Sequence, residues 1–291
     1  MTWYQALVLG IVEGLTEYLP VSSTGHLILA SWLLGLSTDP QRWRAAFSFN
    51  VIIQSGAIAA VLIVYRLRVR SILAGFAGLD PGGRRLGRNL LIAFMPSAVA
   101  GILVGDTVKA WLNGPWPVVV ATFAGACLML AVVRWRRDAA RDGGNGLDAI
   151  DGRVAFLIGL AQCVAMWPGT SRSMATIVSG LVLGLRPTAA AEFSFLLGLL
   201  TLTAATAYTM LRDGMEILAR FGAGPVMIGL TASTISAAAA VRWFVEFLND
   251  RGLAPFAWYR VFLAVALAAA LLSGQLEVPH LGAERSLLPR D

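Results

Sequence analysis

Two polar segments interrupt an otherwise apolar sequence and contain most of its chemically active side chains. The first, residues 13–26, has two carboxylates, three consecutive hydroxyl residues and a histidine. The second, residues 168–176, has a Pro-Gly pair, four hydroxyl residues and an arginine. Ionisable groups within membrane-like sequence are costly and indicate function by default. We therefore expect the chemistry of this protein to lie in these two segments.

The carboxylates of the first segment, Glu13 and Glu17, are four residues apart and share one face of a helix. Because neighbouring carboxylates repel, a proton or a cation is expected between them. Hard divalent cations take oxygen ligands and can bridge to a substrate phosphate, so the pair predicts a Mg²⁺ or Ca²⁺ site. The alternative is a capping role or an interhelical hydrogen bond for each Glu.

The second segment has the composition of an anion-binding loop at the start of a helix. Gly169 allows a close approach of the backbone, and hydroxyls and N–H groups beside it can donate to an anion. Arg172 can bind two phosphate oxygens at once. The alternative is a helix cap whose arginine extends to the surface. The apolar residues that follow Thr176 argue against that alternative.

His26 lies close to the hydroxyl residues Ser22, Ser23 and Thr24. It could act as a general acid or base, or it could activate a nucleophile. The alternative is a hydrogen-bonding strut. Carboxylates, a metal, an arginine and a hydroxyl–histidine set together indicate phosphoryl transfer or hydrolysis, in which positioning and charge stabilisation dominate.

The composition identifies the elements that must position these groups. Hydrophobic residues make up 57% of the 291 residues and charged residues only 14%, against about 25% charged in soluble domains. The sequence therefore predicts an all-α polytopic membrane protein. The net charge of +6 comes almost entirely from arginine. No basic patch on a soluble fold is evident, so nucleic acid is not an expected partner.

The apolar sequence divides into spanning and interrupted regions. A spanning helix needs about 20 apolar residues, and six stretches qualify: 46–65, 90–110, 117–134, 190–211, 223–245 and 256–273. Two more regions, 3–36 and 154–186, break in the middle. Since non-helical backbone at membrane depth must be satisfied by protein or by water, we interpret both as re-entrant helical hairpins. Two kinked spanning helices are the alternative.

The two halves of the chain resemble each other. Four short matches recur at offsets of 149, 148, 149 and 146 residues, and one of them aligns Pro20–Ser23 with Pro168–Ser171. Each half has one hairpin, which returns to the side that it entered from, and three crossings. Because three is an odd number, the second copy is inverted relative to the first. Such repeats place a site near the membrane midplane. The single membrane domain 1–291 then comprises a first repeat (1–134), a cytoplasmic linker (135–153), a second repeat (154–273) and a polar tail (274–291).

The basic residues orient this arrangement. Fifteen arginines, Arg260 among them, fall on one predicted side, against seven basic residues on the other. The basic side is cytoplasmic by the positive-inside rule. The first hairpin then enters from the outer face, and a site at its tip faces the periplasm or exterior.

At these residues the chain resembles the undecaprenyl-diphosphate phosphatase family, also called bacitracin-resistance proteins. The resemblance rests on residues 12–26, 168–173 and 192–197 and extends over essentially the whole chain. It implies a bacterial inner-membrane hydrolase that removes the terminal phosphate of undecaprenyl diphosphate, which recycles the lipid carrier of peptidoglycan synthesis and confers bacitracin resistance. Polyprenyl diphosphate and membrane lipids are the expected partners, with a homodimer as a further option.

The resemblance also implies roles for single residues. It implies that Glu13 and Glu17 bind a metal and act in acid–base chemistry, and that Arg172 binds the diphosphate. It also implies that Ser23 or His26 acts in the nucleophilic or proton-transfer step. The remaining predicted substrate-binding residues lie beside them: Ser22, Thr24, Gly169, Thr170, Ser171, Ser173 and Thr176. Two positions depart from the family's usual pattern, Met174 for glycine and Asn50 for an acidic residue.

One competing function is a transporter or flippase that binds a polyprenyl phosphate without cleaving it, because many carriers are inverted repeats. The Glu pair beside hydroxyls favours hydrolysis. A structural scaffold for cell-wall enzymes would leave the charges within the membrane unexplained.

Overall fold

The described part of the chain is built from α-helices. The computed structural model describes residues 1–37, 39–112, 114–139 and 144–276. Within these ranges there are eleven α-helices: α1 (Trp3–Thr16), α2 (Ser23–Leu33), α3 (Pro40–Val64), α4 (Arg66–Phe76), α5 (Pro81–Leu112), α6 (Pro115–Ala139), α7 (Gly152–Gln162), α8 (Arg172–Val182), α9 (Pro187–Arg220), α10 (Ala223–Arg251) and α11 (Ala254–Leu272).

Six of these helices are long and apolar enough to cross a membrane. They are α3, α5, α6, α9, α10 and α11, and their apolar spans measure 19 to 29 residues. Each contains one of the six predicted stretches or overlaps most of it. The prediction of an all-α polytopic membrane protein is therefore confirmed.

Both interrupted regions are helix–break–helix units, as the sequence predicts. The first break (residues 17–22) separates α1 from α2, and the second break (residues 163–171) separates α7 from α8 and begins with a 3₁₀ turn, Cys163–Met166. The four flanking helices have 11 to 14 residues. At 1.5 Å per residue each is shorter than the ~30 Å apolar core of a bilayer. Re-entry of each unit from one side of the membrane stays a prediction.

The two halves interlock through their broken helices. In the first half, α1 packs on α10, and a Cβ at Gly10 would lie 2.5 Å from the Gly229 carbonyl oxygen. In the second half, α7 packs on α5, and a Cβ at Gly159 would overlap the Ala93 carbonyl. Gly10 and Gly159 are 149 residues apart, and each allows its helix to pack closely on a helix of the opposite half. This reciprocal packing is what two interlocked copies of one unit produce.

The segments outside the repeats differ in part from the predicted boundaries. Helix α6 continues to Ala139, so the first five residues of the predicted linker 135–153 are helical. Residues 140–143 of that linker, and residues 277–291 of the predicted tail, lie outside the described residues. The backbone of Asn145 bonds to the turn that follows α8, where its N–H donates to the Gly184 carbonyl at 2.9 Å.

Candidate active site

Each break ends at a serine with a left-handed backbone. Ser22 has φ 73° and Ser171 has φ 71°, and no other non-glycine residue in the described ranges has a positive φ. Such values are uncommon for a residue with a side chain. Each serine caps the helix after it, because Ser22 Oγ accepts from the N–H of Gly25 and Ser171 Oγ from that of Met174. The two breaks therefore share one local geometry.

This geometry corrects the alignment of the two halves by one residue. The sequence match paired Ser23 with Ser171, whereas the structure pairs Ser22 with Ser171. The first residues of α2 and α8, Ser23 and Arg172, are then equivalent positions. The motif alignment was wrong because it followed the prolines, although the neighbouring matches have the offset of 149 that the structure shows.

Glu17 connects the two breaks. Its Oε2 accepts a hydrogen bond of 2.8 Å from Ser23 Oγ at the start of α2. Its Oε1 lies 3.6 Å from Nη2 of Arg172 at the start of α8. The side chains of Glu17 and Arg172 are only 8% and 10% exposed. One buried carboxylate thus faces a hydroxyl of one broken helix pair and a guanidinium of the other.

Arg172 is hydrogen-bonded through one nitrogen, whereas its other two nitrogens make no hydrogen bond within the described part of the chain. Its Nη1 donates to the Ser194 carbonyl at 3.0 Å, and its guanidinium lies 5.2 Å from the ring centre of Tyr18. Its Nε and Nη2 have no hydrogen-bond acceptor among the described residues. Buried donors are rarely left unpaired, so this arginine has donors available for a bound anion.

The hydroxyls around Arg172 bond within the protein. Ser173 donates to the Leu19 carbonyl at 2.8 Å and lies 3.0 Å from the hydroxyl of Ser171. The Thr176 hydroxyl lies 2.6 Å from that of Ser194. Ser173 and Thr176 are almost completely buried. In this arrangement both side chains support α8, and their predicted contact with phosphate stays a prediction.

Glu13 faces a cavity of about 240 Å³ that also reaches Glu17, Ser23 and Thr24. Its side chain is 2% exposed, and its Oε2 has no partner among the described residues. A buried, unpaired carboxylate oxygen fits a hard divalent cation. The described residues contain no group of three or more His, Cys, Asp or Glu side chains that could hold a metal. Further ligands would have to be hydroxyl, amide or water oxygens.

His26 does not line this cavity. Its Nδ1 lies 2.8 Å from the Ser22 carbonyl and its Nε2 lies 2.7 Å from the Tyr259 hydroxyl. A carbonyl can only accept, so Nδ1 carries the hydrogen and Nε2 accepts from the tyrosine in the neutral ring. Its ring stacks on that of Tyr259 and lines a separate apolar groove of about 620 Å³. The structure favours the strut over the predicted role in proton transfer.

Arg260 is a residue of the site that the sequence reasoning missed. The count of basic residues on the two sides of the membrane assigned it to the cytoplasmic side. In the structure it lies within α11, and its side chain is completely buried. The guanidinium donates to five backbone carbonyls at 3.1–3.3 Å: those of Pro20, Ala121, Thr122, Gly169 and Thr170. It therefore joins both breaks to α6. An arginine within an apolar stretch was the available signal.

Gly169 and Thr170 consequently face Arg260 through their carbonyls. Gly169 has φ 94°, and a Cβ there would lie 2.6 Å from the Val118 carbonyl oxygen of α6. Glycine is required by both the backbone conformation and the close packing. This explains the Pro-Gly pair without an anion, and the predicted substrate contacts of these two residues stay predictions.

Comparison with known proteins gives consistent matches over nearly the whole chain. The profile of the family described as "Bacitracin resistance protein BacA" matches residues 6–266. The undecaprenyl-diphosphatase of Sorangium cellulosum is 43% identical over 264 residues, covering 90% of this chain and 84% of the relative. That of Methylococcus capsulatus is 43% identical over 273 residues (92% and 95%), and that of Rhizorhabdus wittichii 40% over 273 residues (94% and 99%). The chain belongs to the bacitracin resistance protein BacA family.

Proposed function

We propose that this protein hydrolyses undecaprenyl diphosphate to undecaprenyl phosphate and inorganic phosphate. Its relatives carry the name of that activity, and the chain matches them almost from end to end. The reaction recycles the lipid carrier of peptidoglycan synthesis and gives resistance to bacitracin. The observation that carries the proposal is the contact of Glu17 with both Ser23 and Arg172.

The geometry supports Ser23 as the nucleophile and Glu17 as its base. Ser23 Oγ already donates to the Glu17 carboxylate, so deprotonation needs no rearrangement. Ser23 Oγ attacks the terminal phosphorus, the bond from this phosphorus to the bridging oxygen breaks, and the electron pair leaves with undecaprenyl phosphate. Glu17 passes its proton to the leaving phosphate. Water then attacks the phosphoserine, releases inorganic phosphate and returns a proton to Ser23.

Arg172 binds the group that is transferred. Its Nε, and its Nη2, which lies 3.6 Å from Glu17 Oε1, make no hydrogen bond to the described residues and are the donors beside Ser23 and Glu17. Two N–H groups on one rigid plane suit two phosphoryl oxygens. Since charge on these oxygens must be stabilised in the transition state, a fixed guanidinium is worth several kcal/mol in this position.

Glu13 and Glu17 are the proposed ligands of a divalent cation, Mg²⁺ or Ca²⁺. The unpaired Glu13 oxygen in the cavity supports this assignment. When bound, the cation would neutralise negative charge on the two carboxylates and the diphosphate. The protein residues would still supply the nucleophile, the base and the guanidinium.

The site is proposed to face the periplasm or exterior of a bacterial inner membrane. Without Arg260, which the structure places inside α11, fourteen basic residues remain on the predicted cytoplasmic side against seven. The positive-inside rule still gives the same orientation. A homodimer and the exclusion of nucleic acid as a partner stay predictions.

The direct test is phosphate release from C55 polyprenyl diphosphate by the purified protein in detergent. Release is expected with Mg²⁺ or Ca²⁺ and is expected to stop with a chelator. Glu17→Ala and Arg172→Ala should each abolish release, with Arg242→Ala on the exposed face of α10 as a control. Full activity of either site variant would refute the site. Retained lipid binding by the wild-type protein with no release at all would identify a carrier instead.

A further inference from the structure

The side chain of Asn50 brings a second unpaired oxygen to the cavity of Glu13. Asn50 lies on α3 and lines the cavity together with Glu13, Glu17 and Ser23. Its Oδ1 is buried and has no hydrogen-bond donor among the described residues. Leaving such an acceptor unsatisfied costs roughly 1–3 kcal/mol. Two buried acceptors on different helices, Asn50 Oδ1 and Glu13 Oε2, therefore share one cavity, and neither has a hydrogen-bond partner among the described residues.

A cation satisfies both acceptors at once. We propose that the amide oxygen of Asn50 is a third protein ligand of the divalent cation held by Glu13 and Glu17. This inference rests on the cation of the proposed function and names a ligand on a third element, α3. Backbone and side-chain amide oxygens are ordinary ligands of hard cations.

The neighbouring amide of α3 supplies an internal comparison. Gln54 is one helical turn beyond Asn50 and lines the same cavity. Its Oε1, however, accepts a hydrogen bond of 3.1 Å from Thr206. Both side chains are amides that line the same cavity, but only the amide oxygen of Asn50 is without a hydrogen-bond donor in the described part of the chain. The geometry therefore assigns the ligand to Asn50 and not to Gln54.

Charge sets the expected effect of a substitution at this position. Glu13, Glu17, Arg172 and a divalent cation together carry a net charge of +1, and Asn50 adds none. An aspartate at position 50 would add a negative charge. Cation affinity rises with the charge count of the ligands, so this substitution should tighten binding.

The experiment measures cation binding without substrate or turnover. Mn²⁺ is titrated into the full-length protein in detergent, and the free ion is read from its electron paramagnetic resonance signal, with Mg²⁺ and Ca²⁺ as competitors. The expected result is roughly tenfold weaker binding for Asn50→Leu and roughly tenfold tighter binding for Asn50→Asp. Gln54→Leu is the matched control and should bind as the wild type does.

The outcomes separate this inference from the function on which it rests. If both Asn50 variants bind Mn²⁺ with wild-type affinity and Glu13→Gln does not bind it, Asn50 is not a ligand, but the cation site itself stands. A wild-type protein that binds no Mn²⁺ would overturn both. If Asn50→Leu fails to fold, Asn50→Asp, which keeps the size of the side chain, decides the question alone.

Discussion

The hydroxyl of Ser173, in the second broken helix pair, donates a hydrogen bond of 2.8 Å to the backbone carbonyl of Leu19 in the first. Ser173 is completely buried, so this bond forms where the two breaks meet. Arg260 adds bonds to the Pro20 carbonyl on one side and to the Gly169 and Thr170 carbonyls on the other. The junction of the two repeats is thus held by side chains that bond to carbonyls freed from helical pairing.

Replacing Arg260 tests whether this junction positions the catalytic groups. Arg260→Leu removes one donor from five carbonyls. Those of Ala121 and Thr122 lie within α6, and that of Gly169 also accepts from the Thr122 hydroxyl, so the carbonyls of Pro20 and Thr170 are the ones left without a donor among the described residues. Each unsatisfied buried acceptor costs roughly 1–3 kcal/mol, so we expect a loss of about 3 kcal/mol or more in stability. The melting temperature should fall clearly, and phosphate release should fall more than tenfold because Glu17 and Arg172 separate.

Two further variants make this result specific. Arg260→Lys keeps the charge but loses the planar fork of donors, and it should lie between the wild type and Arg260→Leu in both measurements. Arg242→Leu removes an exposed arginine from the neighbouring helix α10 and should change neither. Wild-type stability and activity in Arg260→Leu would show that the junction holds without it.

Much of the fold could be predicted because its signals are local. The length of apolar stretches identifies spanning helices, and Pro, Gly and hydroxyl residues mark the two breaks. The residues that bond to a break could not be predicted in this way. Arg260 bonds only to backbone carbonyls, and every residue has one of these, so no motif indicates the contact.

The direction of side chains at the breaks was also beyond sequence reasoning. His26 is three residues from Ser23 on α2, yet its ring contacts Tyr259 of α11 whereas the Ser23 hydroxyl contacts Glu17. Residues that are adjacent in a motif can therefore face different cavities. The partner of Glu17 among the hydroxyls and the histidine follows from how α2 packs against the first break and α11, which the motif does not contain.

Gly198 offers a test in which activity and stability change separately. It lies buried in α9, and a Cβ there would overlap the Nη1 and Cζ atoms of Arg172. Alanine favours a helix interior over glycine by about 1 kcal/mol, so Gly198→Ala should not lower the melting temperature. The displaced guanidinium should reduce kcat/KM by roughly tenfold or more.

Gly101→Ala is the control, because a Cβ at Gly101 of α5 meets nothing within 4 Å. It should match the wild type in kcat/KM. Unchanged kcat/KM in Gly198→Ala would mean that Arg172 does not need its present position for catalysis.

Substitutions of the adjacent serines Ser22 and Ser23 should differ strongly in their effect on activity. Ser22→Gly keeps a residue that accepts φ 73° and loses only a weak cap, which costs a few tenths of a kcal/mol. We expect activity close to that of the wild type. Ser23→Ala removes the proposed nucleophile and should reduce turnover by roughly a thousandfold or more.

A labelled substrate distinguishes the possible nucleophiles. Brief reaction with diphosphate labelled in its terminal phosphate, followed by acid quenching, should leave label on the wild-type protein and none on Ser23→Ala. Substantial turnover by Ser23→Ala, with no labelled protein in the wild type, would indicate direct attack by water.

The last prediction separates a strut from a proton carrier at His26. Asparagine can place its side-chain N–H where Nδ1 of His26 meets the Ser22 carbonyl, but it cannot titrate. If His26 supports the backbone of the first break, His26→Asn should retain activity within about tenfold and His26→Ala should lose more. Tyr259→Phe removes only the bond to Nε2 and should have a smaller effect than His26→Ala.

The pH dependence of kcat should keep its shape in His26→Asn and Tyr259→Phe. A general acid or base contributes roughly 10²- to 10⁴-fold, so an equally large loss in His26→Asn and His26→Ala, with one limb of the pH profile missing, would restore the catalytic role.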